Sequence, residues 1–327
     1  MTLTPAAGTP RASGNLRMTP GRWVAVALAL PVAIALIGWT GFTLVTTIAQ
    51  GSYPFSYPVQ VRGGQVAVNV NEGNVTLRQA FGSAARLTGT VQYGLVRPGI
   101  TESTTATATN VGINCDGIAT DCGMDATLVV PARTAVTLNS AGGDISVSGF
   151  TSPMTLFAEG GNMTASDLVG ELRLDTGGGD LTCSGLTGDV QISTEGGNVN
   201  ASGLAGTLRM DTGGGDVTGN GFSGPVQILT EGGNVDGNGV ASQQVNVESG
   251  GGDVTLVFTA VPTNLQVTAD GGNVTVVLPP GSTTYDILTP DTAGGNVNVQ
   301  GSLINSASLD TISVNSGGGD ITIMQSS

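Results

Sequence analysis

From about residue 135 onward, apolar and polar residues alternate in short runs, and the runs come in pairs. Leu172-Arg173-Leu174-Asp175-Thr176 leads into Gly177-Gly178-Gly179-Asp180 and then into Leu181-Thr182-Cys183-Ser184. A period of two sends successive side chains to opposite faces of a strand, one toward a core and one toward water. Each stretch therefore predicts two short strands joined by a glycine turn. The inward set on the first strand runs through Val136/Leu138, Leu172/Leu174 and Val190/Ile192 to Ile312/Val314. On the second strand it runs through Ile145/Val147, Leu181/Cys183 and Val254/Leu256 to Val297/Val299 and Ile321/Ile323. Phe150, Leu168, Leu186, Leu204 and Phe222 form a third inward column after a second turn.

The turn Gly-Gly-[Asp/Asn] occurs ten times, ending on Asp144, Asn162, Asp180, Asn198, Asp216, Asn234, Asp253, Asn273, Asn296 and Asp320. The first five intervals are 18 residues and the last four are 19, 20, 23 and 24. A short fixed period marks a unit that buries its apolar side only by stacking on its neighbours. This predicts an all-β fold: a β-solenoid of about ten coils of 18–24 residues, successive coils pairing as parallel strands about 4.8 Å apart. A hairpin stack or sandwich is the alternative, but neither needs one turn at a constant period. The turn glycines are expected at corners with φ > 0. Asp and Asn alternate over the first six turns, which would set an amide beside each carboxylate instead of like charges side by side. Residues 64–77, with Asn74 at a related turn, read as the first coil. Residues 78–132 break the period and read as a hairpin-like insertion capping the N-terminal end of the stack. No comparable cap is legible at the C-terminal end.

Charge divides the chain. There is no Lys and no His, and the net charge is −14. No acidic residue precedes Glu72, whereas Arg11, Arg17 and Arg22 precede an uncharged run over residues 23–60. The apolar part, residues 23–49, is long enough to cross a bilayer as one helix, which takes about 20 residues. The preceding arginines place the N-terminus in the cytoplasm. A secretory signal cleaved after Thr47-Ile48-Ala49 is the alternative. The expected organisation is a cytoplasmic disordered tail 1–22, a transmembrane helix 23–49, a linker 50–63 and an extracytoplasmic solenoid 64–327. Beyond residue 50 there are 7 Arg against 24 acidic residues, a net charge of −17. That excess disfavours nucleic acid, whose phosphates need Lys and Arg.

Candidate chemistry is sparse. Cys115 and Cys122 lie in a polar segment expected outside the membrane, where oxidising conditions favour a disulfide over a metal pair. Cys183 falls on an inward column and reads as an inert buried thiol. Glu159, Asp175, Glu195, Asp211, Glu231, Glu248, Asp270 and Asp291 precede the turns and are expected to form one acidic ridge. It is a solvated edge or a Ca²⁺ site drawing on Asp144, Asp175, Asp180, Glu195, Asp211, Asp216 and Glu231, since calcium takes six to eight oxygens. Asp175-Thr176-Gly177 and Asp211-Thr212-Gly213 copy the aspartic-protease tripeptide but belong to the repeat. Without His or Lys, His-based triads and Schiff-base chemistry are out of reach. No catalytic residue and no cofactor is assigned.

The Cys115…Cys122 segment followed by Val130-Pro131, the repeated Gly-Gly-[Asp/Asn] turns, the Ser-Gly-Leu-x-Gly corners at 184–188 and 202–206, and the N-terminal apolar run together resemble the putative-adhesin family of β-strand-repeat envelope proteins, actinobacterial type. The resemblance covers roughly residues 60–327 and departs from it in using Gly-Gly-[Asp/Asn] where Ser-Ser-Gly-Asp is usual. It implies a cell-surface β-solenoid and brings no catalytic residues. The expected function is a membrane-anchored structural or adhesin-like binding module of the cell envelope, its partner an envelope protein or cell-wall glycan. A carboxylate-dependent polysaccharide-cleaving β-helix and an envelope-stress accessory protein are the alternatives.

Overall fold

A computed structural model describes residues 51–61, 63–80, 82–94, 97–105, 109–114 and 123–326. The expected tail, the apolar run 23–49, and Cys115 and Cys122 lie outside the described residues. Among the described residues the structure is β-strands plus one 3-10 turn, Gly301–Leu303. No helix there is long and apolar enough to cross a membrane.

Each coil gives one strand to each of two sheets, of 13 and 14 strands. Leu172–Thr176 pairs in parallel with Val190–Thr194, Leu172 opposite Val190 and Thr176 opposite Thr194. Leu181–Ser184 pairs in the same way with Val199–Ser202. The 18-residue period thus becomes a one-strand step, as predicted. Single bridges linking Val169, Thr187, Ala205 and Ser223 add a short third side. Inward side chains from all three columns are buried, including Leu138, Leu174, Ile145, Cys183, Phe150, Leu168 and Leu186. Each buried Leu, Ile, Val or Phe contributes about 1.5–3 kcal/mol, but a lone coil would leave its interior open at both ends. Neighbouring coils supply that cover, so stability resides in the stack. Val297, expected inward, is 45% exposed because its strand Val297–Val299 is the outermost of its sheet.

The glycines at the Gly-Gly-[Asp/Asn] turns do not have positive φ, contrary to expectation. The glycine just before the Asp or Asn is required by close approach. A Cβ on Gly161, Gly179, Gly197, Gly215 or Gly233 would lie well under 3.0 Å from the carbonyl of the equivalent glycine one coil back. Positive φ occurs at the opposite corner, at Gly149, Gly185, Gly203, Gly221 and Gly239, and there one non-glycine, Asp167, adopts it at 53°.

Both ends of the stack depart from the reading of the chain. Residues 51–59, expected as linker, form the strand Gly51–Val59 on the edge of the 14-stranded sheet, antiparallel to Ala85–Tyr93. Pro54 and Pro58 suit it, because an edge strand tolerates missing N–H donors. The insertion extends both sheets. Gly123–Pro131 lies parallel to the first-coil strand Asn74–Ala80 and antiparallel to Ala85–Tyr93. The hairpin of Gly99–Thr104 with Thr109–Asn114 continues the other sheet from Gln65–Val70.

At the C-terminal end two coils exchange places. Thr311–Ser316 pairs with Asn264–Ala269 on one side and with Asp286–Thr292 on the other. Ile321–Gln325 lies likewise between Val274–Leu278 and Val297–Val299. The later coil is therefore intercalated, and the earlier one caps the stack that read as uncapped. Burial explains the exchange. Ile312, Val314, Ile321 and Ile323 form a full inward set, at most 1% exposed. The capping coil has a bulge between Leu288 and Asp291, a proline at 290 and an exposed Val297. A bulge and a proline belong at an edge.

Candidate functional site

The Asp and Asn side chains of the glycine turns form a continuous hydrogen-bonded row. The backbone N–H of Asn162 donates to Asp144 Oδ1 at 2.8 Å, that of Asp180 to Asn162 Oδ1 at 2.9 Å, and that of Asn198 to Asp180 Oδ1 at 2.8 Å. The row continues through Asp216, Asn234, Asp253 and Asn273. It then passes to Asp320 and only afterwards to Asn296. At the other end Asp144 N–H donates to Asn74 Oδ1, and Asn74 Nδ2 donates to Asp125 Oδ1. In space, Asp and Asn therefore alternate without a break from Asp125 to Asn296. At Asn198, Asn234, Asn273 and Asn296 the Nδ2 also reaches the preceding carboxylate of the row, as from Asn198 to Asp180 at 3.2 Å and from Asn234 to Asp216 at 3.1 Å. Neighbouring carboxylates stand two coils apart, about 10 Å.

Beneath the row, hydroxyls close most of the glycine turns from inside, alanine taking the place at Ala158 and Ala269. Thr176 Oγ1 donates to Gly179 O at 2.8 Å, and Gly197 N–H donates to Thr194 Oγ1 at 3.0 Å. Thr212, Thr230, Ser249 and Ser316 hold the same place. The threonines of both Asp-Thr-Gly tripeptides are thus turn-closing residues. Asp175 and Asp211 are not adjacent, because Ser193 stands in register between them.

The expected acidic ridge is two columns. Asp175, Asp211 and Glu248 occupy one, separated by Ser193 and Leu229. Glu159, Glu195, Glu231 and Asp270 occupy the other, separated by Gly177, Gly213 and Gly250, each of which lies against the carbonyl of the preceding acid. The seven residues expected to bind Ca²⁺ fall into these two columns and the turn row, and Asp144, Asp180 and Asp216 are held by backbone N–H groups. No three acidic, His or Cys side chains among the described residues converge as a metal site. The residues present do not fit the ion. Cys183 is a buried free thiol whose pKa burial pushes up to about 12, as its inward position predicts.

A concave feature lies on the outer face of the 13-stranded sheet. Thr137, Thr155, Arg173, Gln191, Arg209, Gln227, Asn246 and Gln266 stand side by side there, one per coil. A groove of about 660 Å³ runs between this row and Glu171, Asp189, Gln244 and Asn264. It adjoins a second hollow of about 310 Å³ that shares Glu171 and Gln191 and reaches Gln65. Nine strands cross beneath the two, a length of roughly 38 Å. Arg173 and Arg209 are the only cationic residues after Arg133. Arg173 donates to Asp175 at 3.2 Å and to Gln191 at 3.4 Å, and Arg209 donates to Gln227. Asn246 Oδ1 is buried without a partner among the described residues. The alternation of Arg and Gln was visible as outward polar positions, but its concavity was not.

A family model described as Toastrack DUF4097 matches residues 44–324. No curated protein matches the chain. Among solved structures, a putative adhesin from Parabacteroides merdae is 13% identical, covers 85% of this chain and 96% of its own, and has a TM-score of 0.33. A putative adhesin from Bacteroides fragilis is 12% identical over 84% of this chain and 97% of its own, with a TM-score of 0.32. A putative cell adhesion protein from Clostridium sporogenes is 13% identical over 84% of this chain and all of its own, with a TM-score of 0.22.

Proposed function

We propose that this chain, which belongs to the Toastrack DUF4097 family, works as a non-catalytic, adhesin-like binding module of the bacterial cell envelope. Residues 23–49 hold it in the membrane and its stack of coils lies outside. The observation that carries this reading is the groove of Gln, Asn, Thr and two Arg side chains across nine strands. Amide and guanidinium groups at a fixed spacing suit an extended polar polymer, and the lack of an aromatic lining disfavours a small apolar ligand. The occupant we favour is a cell-wall glycan chain. Separation of Asp175 from Asp211 by a whole strand keeps the two carboxyls from sharing a proton and so disfavours the aspartic-protease dyad.

Co-sedimentation of residues 51–327, which form their own compact unit, with insoluble cell-wall glycan tests it. Binding by the native domain and loss in the R173A/R209A double variant is the expected result. Binding to wall protein but not to glycan would transfer the groove to an envelope protein. Protease added to intact cells should remove the domain; a protected domain would overturn the outward orientation.

A further inference from the structure

Near the N-terminal end of the same sheet, beside the groove but sharing no lining residue with it, lies a cavity of about 370 Å³ between the coils and the hairpin of Gly99–Thr104 and Thr109–Asn114. Phe157 lines it and is 37% exposed. Its register neighbours are Asn139 and Asp175, and next in line is Ser193. The other aromatic side chains after residue 98, those of Phe150, Phe222, Phe258 and Tyr285, are all buried. Phe157 is therefore an aromatic ring on a polar face, where core packing does not require it. Ala141, which is exposed, adds apolar surface to the same cavity.

A row of three amides crosses this cavity. Asn139 Nδ2 donates to Asn69 Oδ1 at 2.6 Å, and Asn69 Nδ2 donates to Asn110 Oδ1. The row has a direction, so the amides cannot turn freely. It leaves Asn139 Oδ1 without a donor among the described residues, on the strand next to Phe157. Glu159 lies at the rim and repels anionic ligands. A concave site with an apolar lining and a few fixed polar groups is the general form of a small-ligand site.

We infer that this cavity binds an N-acetylated hexopyranose, the C–H face of the sugar ring lying on Phe157, its amide N–H donating to Asn139 and its acetyl methyl against Ala141. The ring platform, a free amide acceptor and an apolar wall match the three parts of that sugar, and the carboxylate of Glu159 selects against uronic acids. The site is distinct from the groove proposed above and does not depend on it.

The test is saturation-transfer NMR and calorimetry on the full chain in a non-glycosidic detergent, with an N-acetylglucosamine trimer and with maltotriose. The trimer should bind and maltotriose should bind at least severalfold more weakly. Phe157→Ala should weaken the trimer about three- to tenfold, the range of an aromatic contact, and Phe157→Trp should keep it. Thr218→Ala, exposed on the other sheet and outside both hollows, should leave it unchanged. Should Phe157→Ala not fold, Asn139→Leu, which removes the acceptor, should give the same loss. The inference is overturned if the trimer does not bind, if maltotriose binds equally well, if Phe157→Ala binds like the native chain, or if Arg209→Ala abolishes binding, which would put the sugar in the groove.

Discussion

The two corners of each coil are both built on glycine, for opposite reasons. At the Gly-Gly-[Asp/Asn] corner the backbone is ordinary, and the constraint comes from the coil behind: a side chain on Gly197 would overlap the Gly179 carbonyl. At the Ser-Gly-Leu corner the constraint is local. Gly203 has φ of 60°, and the nearest atom to a Cβ there is 3.8 Å away. The difference explains which positions vary. Asp167 replaces glycine at the second corner with φ of 53°, as Asp does more readily than most residues. The overlap recurs at Gly143, Gly161, Gly179, Gly215 and Gly233 of the first corner, and none of these is replaced. At the second corner close approach returns only at the last glycine, a Cβ on Gly188 or Gly206 falling well under 3.0 Å from the carbonyl one coil back, so it is the first glycine of that corner that only turns the chain.

Substitutions at matched positions would break or sharpen this contrast. Gly197→Ala should have the largest effect, about 3 kcal/mol or more of lost stability, because two backbones must separate; thermal melting of residues 51–327 measures it. A loss no larger than at the second corner would erase the distinction. Asp216→Ala removes the acceptor for the backbone N–H and Nδ2 of Asn234 and should cost about 1.5 kcal/mol, with weaker hydrogen-exchange protection at Asn234. Gly203→Ala should cost about 1 kcal/mol, the left-handed penalty of one residue, and Asp167→Gly should be neutral or slightly stabilising. The interior between the corners gives the smallest effect at neutral pH. The raised pKa of Cys183 means the unfolded thiol ionises first, so stability is intact below pH 9.0 and falls as pH rises toward about 12. Thiol reagents should label Cys183 only after unfolding, and C183A should flatten that alkaline limb.

Much of the stack was legible because period and alternation are local properties. The inward columns from Val136 to Ile323, the coil length and the first-coil assignment of Asn74 follow from counting residues. What escaped depends on neighbours or on offsets. Close approach at Gly197 cannot be seen without Gly179 behind it. Glu195 lies three residues before its turn Asn198, while Asp175 lies five before Asp180. Counting from the turn separates the two acidic columns that merged into one expected ridge, and with the ridge went the calcium set. Gly51–Val59, expected as linker, accommodates Pro54 and Pro58 because the strand lies at the sheet edge. The exchanged coils did leave a trace. Asn296 follows Asn273 in the chain and so breaks the alternation, and placing Asp320 between them restores it. No such trace exists for Phe157, which shares its cavity with Asn69, 88 residues earlier in the chain.

The intercalated coil also bears on time. Ribosomal synthesis delivers residues 286–303 before residues 311–325, and domains begin to fold as they emerge. The earlier coil can meet the growing stack only amide to amide, Asn296 against Asn273, with no carboxylate to accept its backbone N–H. The later coil brings Asp320 and the fuller apolar set, and takes the inner berth. The coil synthesised last is therefore not the last in the stack, and the order of stacking at this end departs from the order of synthesis.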